Sequence, residues 1–346
     1  MKKVTALHFS RPPKNIAHDH LLFPHMLAGI KQRRKIMRWL LVFLFLTPQI
    51  ALAAGPKYRV LAADKGNVSL VDADGKILWS MENKAEVHDI QMLANGNILV
   101  PTSRTTVAEI APDKTIVWSY TAKPKTGYSG AIEIHACQRL DNGNTMVAES
   151  GNQRIVEVNK SGAIVLEIPL TVEHPNAHRD TRMVRKTAAG TYLVCHEGDG
   201  KVREYDNKGK VIWEYTLDLA GRPRATGHGV EGHGTEVYGA VRLANGNIMI
   251  AGGNANRVIE VDRAGKTVWS LEQTDLPGIT LAWVTTLHVL PNGNIIVGNC
   301  HAGPENPQLI EVTRDKKVVW SFKDFQTFGN SLAAAHVLDT AKPVIR

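Results

Sequence analysis

LANGNILVPTSRTTVAEIAPDKTIVW, residues 93–118, decides the fold. An Asn-Gly pair (Asn95, Gly96) opens an apolar run, a second run carries a V-x-E motif at Val107 and Glu109, and a polar turn leads to a third run closing on Trp118. The opening recurs as LDNGNTMV (140–147), TAAGTYLV (187–194), LANGNIMI (243–250) and LPNGNIIV (290–297), at spacings of 47, 47, 56 and 47 residues. The closing aromatic recurs as Trp79, Trp118, Trp213, Trp269 and Trp320, with Leu166 in the remaining copy, so the chain holds six units. A period in the forties built from short alternating runs is the pattern of a β-propeller, whereas a helical repeat would show a 3.6-residue period.

The expected fold is all-β: a six-bladed β-propeller of four-stranded antiparallel blades, with strands A to D running outward from the channel. The Asn-Gly pairs at 95–96, 142–143, 245–246 and 292–293 predict two-residue type I′ hairpins between strands A and B, because both residues tolerate positive φ. Strand D is expected to end at its aromatic. The repeated Trp and a repeated glutamate (Glu109, Glu157, Glu204, Glu260, Glu311) are expected to tie neighbouring blades by packing and hydrogen bonds. The first unit, residues 58–80, contains only strands B, C and D, while residues 333–346 match strand A, His336 and Leu338 aligning with His288 and Leu290. The C-terminal strand should therefore pair with the N-terminal blade, closing the ring and removing an exposed sheet edge.

The formal charge of +8 suggests a basic surface until it is located. Nine of the 41 Lys/Arg and one of the 33 Asp/Glu precede residue 55, which leaves 32 of each and gives no reason to expect a nucleic-acid partner. The basic segment reads as a secretory leader: a positive stretch at 31–38, an apolar run at 39–46 and an A-x-A-like site in Ala51-Leu52-Ala53-Ala54. Thr47, Pro48 and Gln49 interrupt the apolar segment, which falls short of the roughly 20 residues a spanning helix needs. The expected organisation is an N-terminal extension and signal peptide over 1–54 and a propeller over 55–346. The mature protein would be periplasmic or secreted, with no membrane span after cleavage. Translation starts at Met1, Met26 or Met37 are all compatible with this reading. Cys137, Cys195 and Cys300 lack C-x-x-C spacing and support neither a disulfide framework nor a zinc ribbon.

In antiparallel blades the A–B and C–D turns share one end, and the B–C loops and D-to-A crossovers share the other. Eight of the ten histidines after residue 54 fall at the second end; His288 and His336 lie inside strand A. Because strand A is innermost, the equivalent positions His88, His135, Arg182, Tyr238 and Thr285 are expected to ring the channel mouth. Around them should stand Glu149, His196, Glu197, Asn299 and His301 from B–C loops, and His178, Arg179, His228, Glu231, His233 and Trp283 from crossovers. The 56-residue spacing places a nine-residue, Gly-rich insertion in the crossover at 216–237, read as a rim loop or lid. Trp283, expected just ahead of strand A, would stack on a sugar or aryl ring or fill a gap between blades.

The elements VDADGKILW (71–79), YDNKGKVIW (205–213) and VDRAGKTVW (261–269) resemble the repeat of quinoprotein-type propellers. The whole unit, with its Asn-Gly-Asn turn, is closer to arylsulfotransferase-like six-bladed propellers and to exported PQQ-like repeat proteins, over about residues 57–346. The resemblance does not imply a quinone cofactor: quinoprotein dehydrogenases of that type have eight blades and a pair of adjacent cysteines, and this chain has neither. In arylsulfotransferases a histidine at the mouth takes up the sulfuryl group and His and Arg side chains stabilise its charge. His88, His135 and Arg182 are of those types at that end, which makes them the candidate catalytic set.

Three function classes fit. One is a binding propeller taking a small molecule, saccharide or aryl ligand at the polar mouth. The second is a His-dependent enzyme, either for sulfuryl transfer or for lyase or hydrolase chemistry assisted by a divalent metal on mouth histidines such as His88 and His135. Their spacing follows from the repeat and carries no ligand code. The third is a protein-docking scaffold, which would show an exposed apolar patch.

Overall fold

The computed structural model describes residues 58–223, 225, 232 and 234–346. The expected leader lies outside the described residues, as do His228, Glu231 and His233 of the rim loop. The described chain forms six four-stranded antiparallel sheets and one short 3-10 turn, Gln273–Asp275. Blade 3 is typical: Glu133–Arg139 innermost, then Thr145–Ser150, Arg154–Val158 and Ile164–Pro169. In blade 1 the inner strand is Ala334–Val337, paired with Val60–Asp64 so that Leu61 faces His336 and Ala62 faces Ala335. The expected closure is therefore present. Between blades the apolar faces interlock; Leu99, Val107 and Tyr120 of blade 2 pack with Ile134, Val147 and Val156 of blade 3.

The A–B turns differ from expectation. Only the glycine takes positive φ (Gly96 +83°, Gly143 +82°, Gly246 +87°, Gly293 +85°). The Gly96 N–H donates to the Leu93 carbonyl (2.9 Å) and the Leu93 N–H to the Asn97 carbonyl (2.8 Å). This is a three-residue loop, a type I turn followed by a left-handed glycine, rather than a type I′ pair. Asn95 is favoured for another reason: its Oδ1 accepts the Asn97 N–H at 3.0 Å. The D strands also run past their aromatics, Trp79 being the third residue of Ile77–Glu82 and Trp118 the third of Ile116–Thr121.

The repeated residues join blades. Trp79, Trp118, Trp213 and Trp269 each donate Nε1–H to a backbone carbonyl of the next blade, at Pro112, Asn159, Arg263 and Arg314. Glu109 accepts from Asn97 Nδ2 of its own turn (2.6 Å) and from Arg139 of the next blade (2.7 Å). Glu260 does the same with Asn247 and Arg314, and Glu311 with Asn294 and Tyr58. The second Asn of the Asn-Gly-Asn motif is thus the glutamate's local partner. Beside each of these positions the C–D ladder slips by one residue, a bulge that sharpens the strand twist.

Lower in the channel, Asp89 of blade 2 receives both guanidinium nitrogens of Arg185 from blade 4 (2.7 and 2.8 Å) and the Cys137 N–H of blade 3 (3.0 Å). Residues beyond Val337 turn back into the ring. Ile345 bridges Val289, and Arg346 donates to the Ile90 carbonyl at 2.6 Å and approaches Asp89 at 3.4 Å. Burial, then the neighbouring Arg185, lower the Arg346 guanidinium to about 10. Asp89 is the carboxylate that meets both cations. Asp89→Ala is expected to lose about 3–5 kcal/mol of stability, the usual consequence of leaving buried charge uncompensated. Urea titration reads it; a loss below about 1 kcal/mol, the scale of an exposed pair, would show that these charges are solvated.

Candidate site at the channel mouth

Two positions ahead of the predicted ring the blades carry Glu86, Glu133, Asp180, Glu236 and Trp283. The acids were not singled out from sequence, although E-x-H at 86–88 and 133–135 was the signal that could have found them. The predicted ring does converge. The His88 and His135 rings lie 4.7 Å apart, Arg182 Nη1 donates to His88 Nε2 (3.2 Å), and the Tyr238 hydroxyl donates to the His88 carbonyl (3.0 Å). All five ring residues are buried, Arg182 and Thr285 completely, so the mouth is filled at this level rather than open. Arg182 is held by Glu197 through Nε, while its Nη2 and the Thr285 hydroxyl have no hydrogen-bond partner among the described residues.

The other candidates divide into two groups. His178 donates through Nδ1 to Glu133 Oε2 at 2.7 Å, and Arg179 donates to Glu236 at 3.0 Å; both are partly exposed at the rim. Glu149, His196 and Asn299 belong to the scaffold. Glu149 accepts from Tyr120, Asn152 and Arg154; His196 donates through Nδ1 to the Asp180 carbonyl and pairs with the Tyr205 hydroxyl; Asn299 accepts the Ala282 N–H. Trp283 is not ahead of strand A but begins it, because a bulge between Val284 and Leu287 extends the pairing to Trp283 and Cys300. It is 3% exposed, stacked on His301 at 5.5 Å, with Arg182 5.6 Å from its ring centre. Filling the interior, rather than offering an open platform, is its place in the structure.

An open space remains beside this cluster, a cavity of about 220 Å³ lined by Lys65, Asn83, Glu86, His88, Trp283 and His301. Burial, then Arg182, holds the His88 imidazole well below its ordinary range, and the same two causes lower His135. The neighbouring His135 leads the causes that hold Glu133 down to about 2, and His88 does so for Glu86, also about 2. The site therefore sets neutral imidazoles against ionised carboxylates.

The expectation that His88 and His135 share a metal is corrected: the Arg182 guanidinium occupies the lone pair of His88 Nε2. Among the described residues the groupings close enough for a metal are Glu133, His135 and His178, and at the outer rim Glu173, His174 and Asp199. His288 and His336 stay inside the channel, 5.8 Å apart; His336 Nδ1 accepts the Met92 N–H. The three cysteines are buried and free.

No curated protein sequence matches the chain significantly. Similar solved structures include a Bacteroides caccae protein of unknown function, 22% identical, covering 82% of this chain and 100% of its own, with a TM-score of 0.68. A streptogramin B lyase is 15% identical, covering 80% of this chain and 86% of its own, with a TM-score of 0.54. A catalytically inactive virginiamycin B lyase from Staphylococcus aureus with quinupristin is 13% identical, covering 82% and 89%, with a TM-score of 0.52. At these identities the likeness is one of fold. A family model described as outer membrane protein assembly factor BamB matches residues 64–322, three quarters of the sequence and every blade of the ring, and the chain belongs to that family of PQQ-like repeat propellers.

Proposed function

We propose that the protein is an exported binding propeller that takes a small, oxygen-rich ligand, a saccharide or an aryl acid, in the cavity over His88, Trp283 and His301. One observation carries this reading: the cavity sets polar groups of both charges, Lys65, Asn83, Glu86, His88 and His301, around the edge of the Trp283 ring. The neighbouring His88 and the half-buried His301 supply further polar contacts, and the rim around them carries Lys65, Asn83 and Glu86. Export rests on the leader pattern in residues 1–54, and no helix among the described residues is long and apolar enough to cross a membrane.

Sulfuryl transfer is the weaker reading. The lone pair of His88 Nε2 accepts from Arg182, and His135 does not line the cavity. A docking scaffold also has less support, since the exposed apolar residues, such as Ile77 and Leu78, Ile116 and Val117, Ile164 and Val165, are dispersed over the outer strands of successive blades.

A thermal-shift screen of monosaccharides, aryl carboxylates and aryl sulfates tests the proposal, run on the native chain and on the rim variant Glu86→Gln/His301→Ala. A ligand at 100 times its Kd should add about 2.7 kcal/mol to stability and raise Tm. The variant should keep its own transition and lose the shift. Absence of any stabilising ligand, or an equal response in the variant, would remove this cavity as the site.

A further inference from the structure

We infer that Glu133, His135 and His178 form a binding site for a zinc-class divalent cation. Glu133 and His135 are two apart on the inner strand of blade 3, and His178 comes from the crossover into blade 4. Their ligating atoms lie within 4.8 Å of one another, with His135 Nε2 3.1 Å and His178 Nδ1 2.7 Å from the same Glu133 oxygen. The tautomer of His135 is the decisive detail. Its Nδ1 is 2.7 Å from the Thr181 carbonyl, which can only accept, so Nδ1 carries the proton. Nε2 is then the ring's ligating atom, 3.1 Å from the Glu133 oxygen, and a cation seated beside them would bond both.

A metal-ligating histidine almost always donates its other N–H to a backbone carbonyl, a carboxylate or water, as His135 does to Thr181. Tetrahedral zinc, with ligands at about 2.1 Å, sets its ligand atoms roughly 3.4 Å apart, so a small outward movement of Glu133 and His178 accommodates the ion. His178 is at the rim, where such movement is unhindered: its side chain is 40% exposed. Two imidazoles and one carboxylate suit zinc and its borderline neighbours better than magnesium or calcium, which prefer oxygen ligands. Three protein ligands also leave a coordination position open. The nearby cations do not occupy the oxygen concerned: Arg104 reaches the other Glu133 oxygen at 3.2 Å, and Arg182 is paired with Glu197.

The carboxylates of the outer cluster Glu173, His174 and Asp199 are already paired with side-chain cations. Arg203 already bonds both carboxylates, Lys201 bonds Glu173, and Asp199 also takes the Glu173 and His174 backbone N–H groups. Its cations are built in. It serves as the control.

The inference does not depend on the proposed ligand, because metal binding is read on the protein alone. Chelator-treated protein is titrated with Zn²⁺ by calorimetry, and metal content is then measured after dialysis. The expected result is one zinc per chain, with affinity reduced more than about 100-fold, beyond what loss of a mere outer-shell contact produces, in His178→Ala and in Glu133→Gln. His174→Ala should bind as the native protein does. Metal-free melting curves verify that the variants fold, and His178→Ala is the safest because its ring is at the rim. Co²⁺ loaded in place of zinc should show the absorption of a low-coordinate His-ligated ion, lost in His178→Ala. No zinc binding by the native chain, binding unchanged in His178→Ala, or binding lost in His174→Ala would each overturn the assignment.

Discussion

A chain lacking residues 333–346 should fail to fold cooperatively. The missing strand, Ala334–Val337, is the inner strand of blade 1, and without it Val60–Asp64 becomes an unpaired edge lining the channel. Ala335 and Val337 also join Tyr58, Val60 and Ala62 to Leu290, Ile296 and Phe328, so the same deletion opens the contact between blades 6 and 1. Arg346 leaves with them, and its hydrogen bond to the Ile90 carbonyl is lost. A domain's whole margin is about 5–15 kcal/mol, and the combined loss of a buried ladder, an apolar seam and channel contacts is of that order. Circular dichroism melts should show no native-like transition and the protein should be largely insoluble. A truncated protein with native melting behaviour would mean that the ring is held without its terminal strand.

Acid should unfold the protein earlier than its carboxylates alone require. His88, His135, His196, His288 and His336 are buried, and burial is the leading cause that lowers each of them below the ordinary histidine range, His196 to about 4. In the unfolded chain each recovers a value near 6.5. Between the folded and unfolded values the unfolded state binds more protons, so stability is fully present above about pH 6.5, falls as pH drops from there, and is fully lost below the folded values. For His196 alone the loss is roughly 3 kcal/mol between pH 6.5 and pH 4. The other four act in the same direction. Glu86 and Glu133, held down to about 2, add their share only at lower pH. Urea midpoints at pH 7.5, 6.0 and 5.0, with chelator present, should decline steadily. A flat or rising profile over that interval would show that these imidazoles are not buried neutral.

What the sequence made legible was what the repeat copies. The period, the D-strand tryptophans and the glutamate of strand C recur in nearly every unit, so blade number, closure and the convergence of His88, His135, Arg182 and Tyr238 followed from counting. The rest depends on residues that meet across the ring. Asp89 and Arg185 come from blades 2 and 4, Arg346 from the end of the chain, and no period links them. The turns were misread because Ala94 belongs to the loop, a matter of one residue that the Asn-Gly pair by itself does not reveal. Glu133 was overlooked two positions ahead of its histidine, where a bulge between Ile134 and Ala136 breaks the regular alternation of the strand. Burial of the mouth was not legible at all: it arises because large side chains from five blades share one narrow channel.

Amide hydrogen exchange of the native chain, with and without the best ligand from the screen, tests most directly whether the crossover mouth is the working face. Protection should gather in residues 83–88, 299–303 and 329–333, around the cavity and its floor. Protection confined to the opposite end, in the turns at 93–97 and 290–294, would place binding on the wrong face and contradict the account.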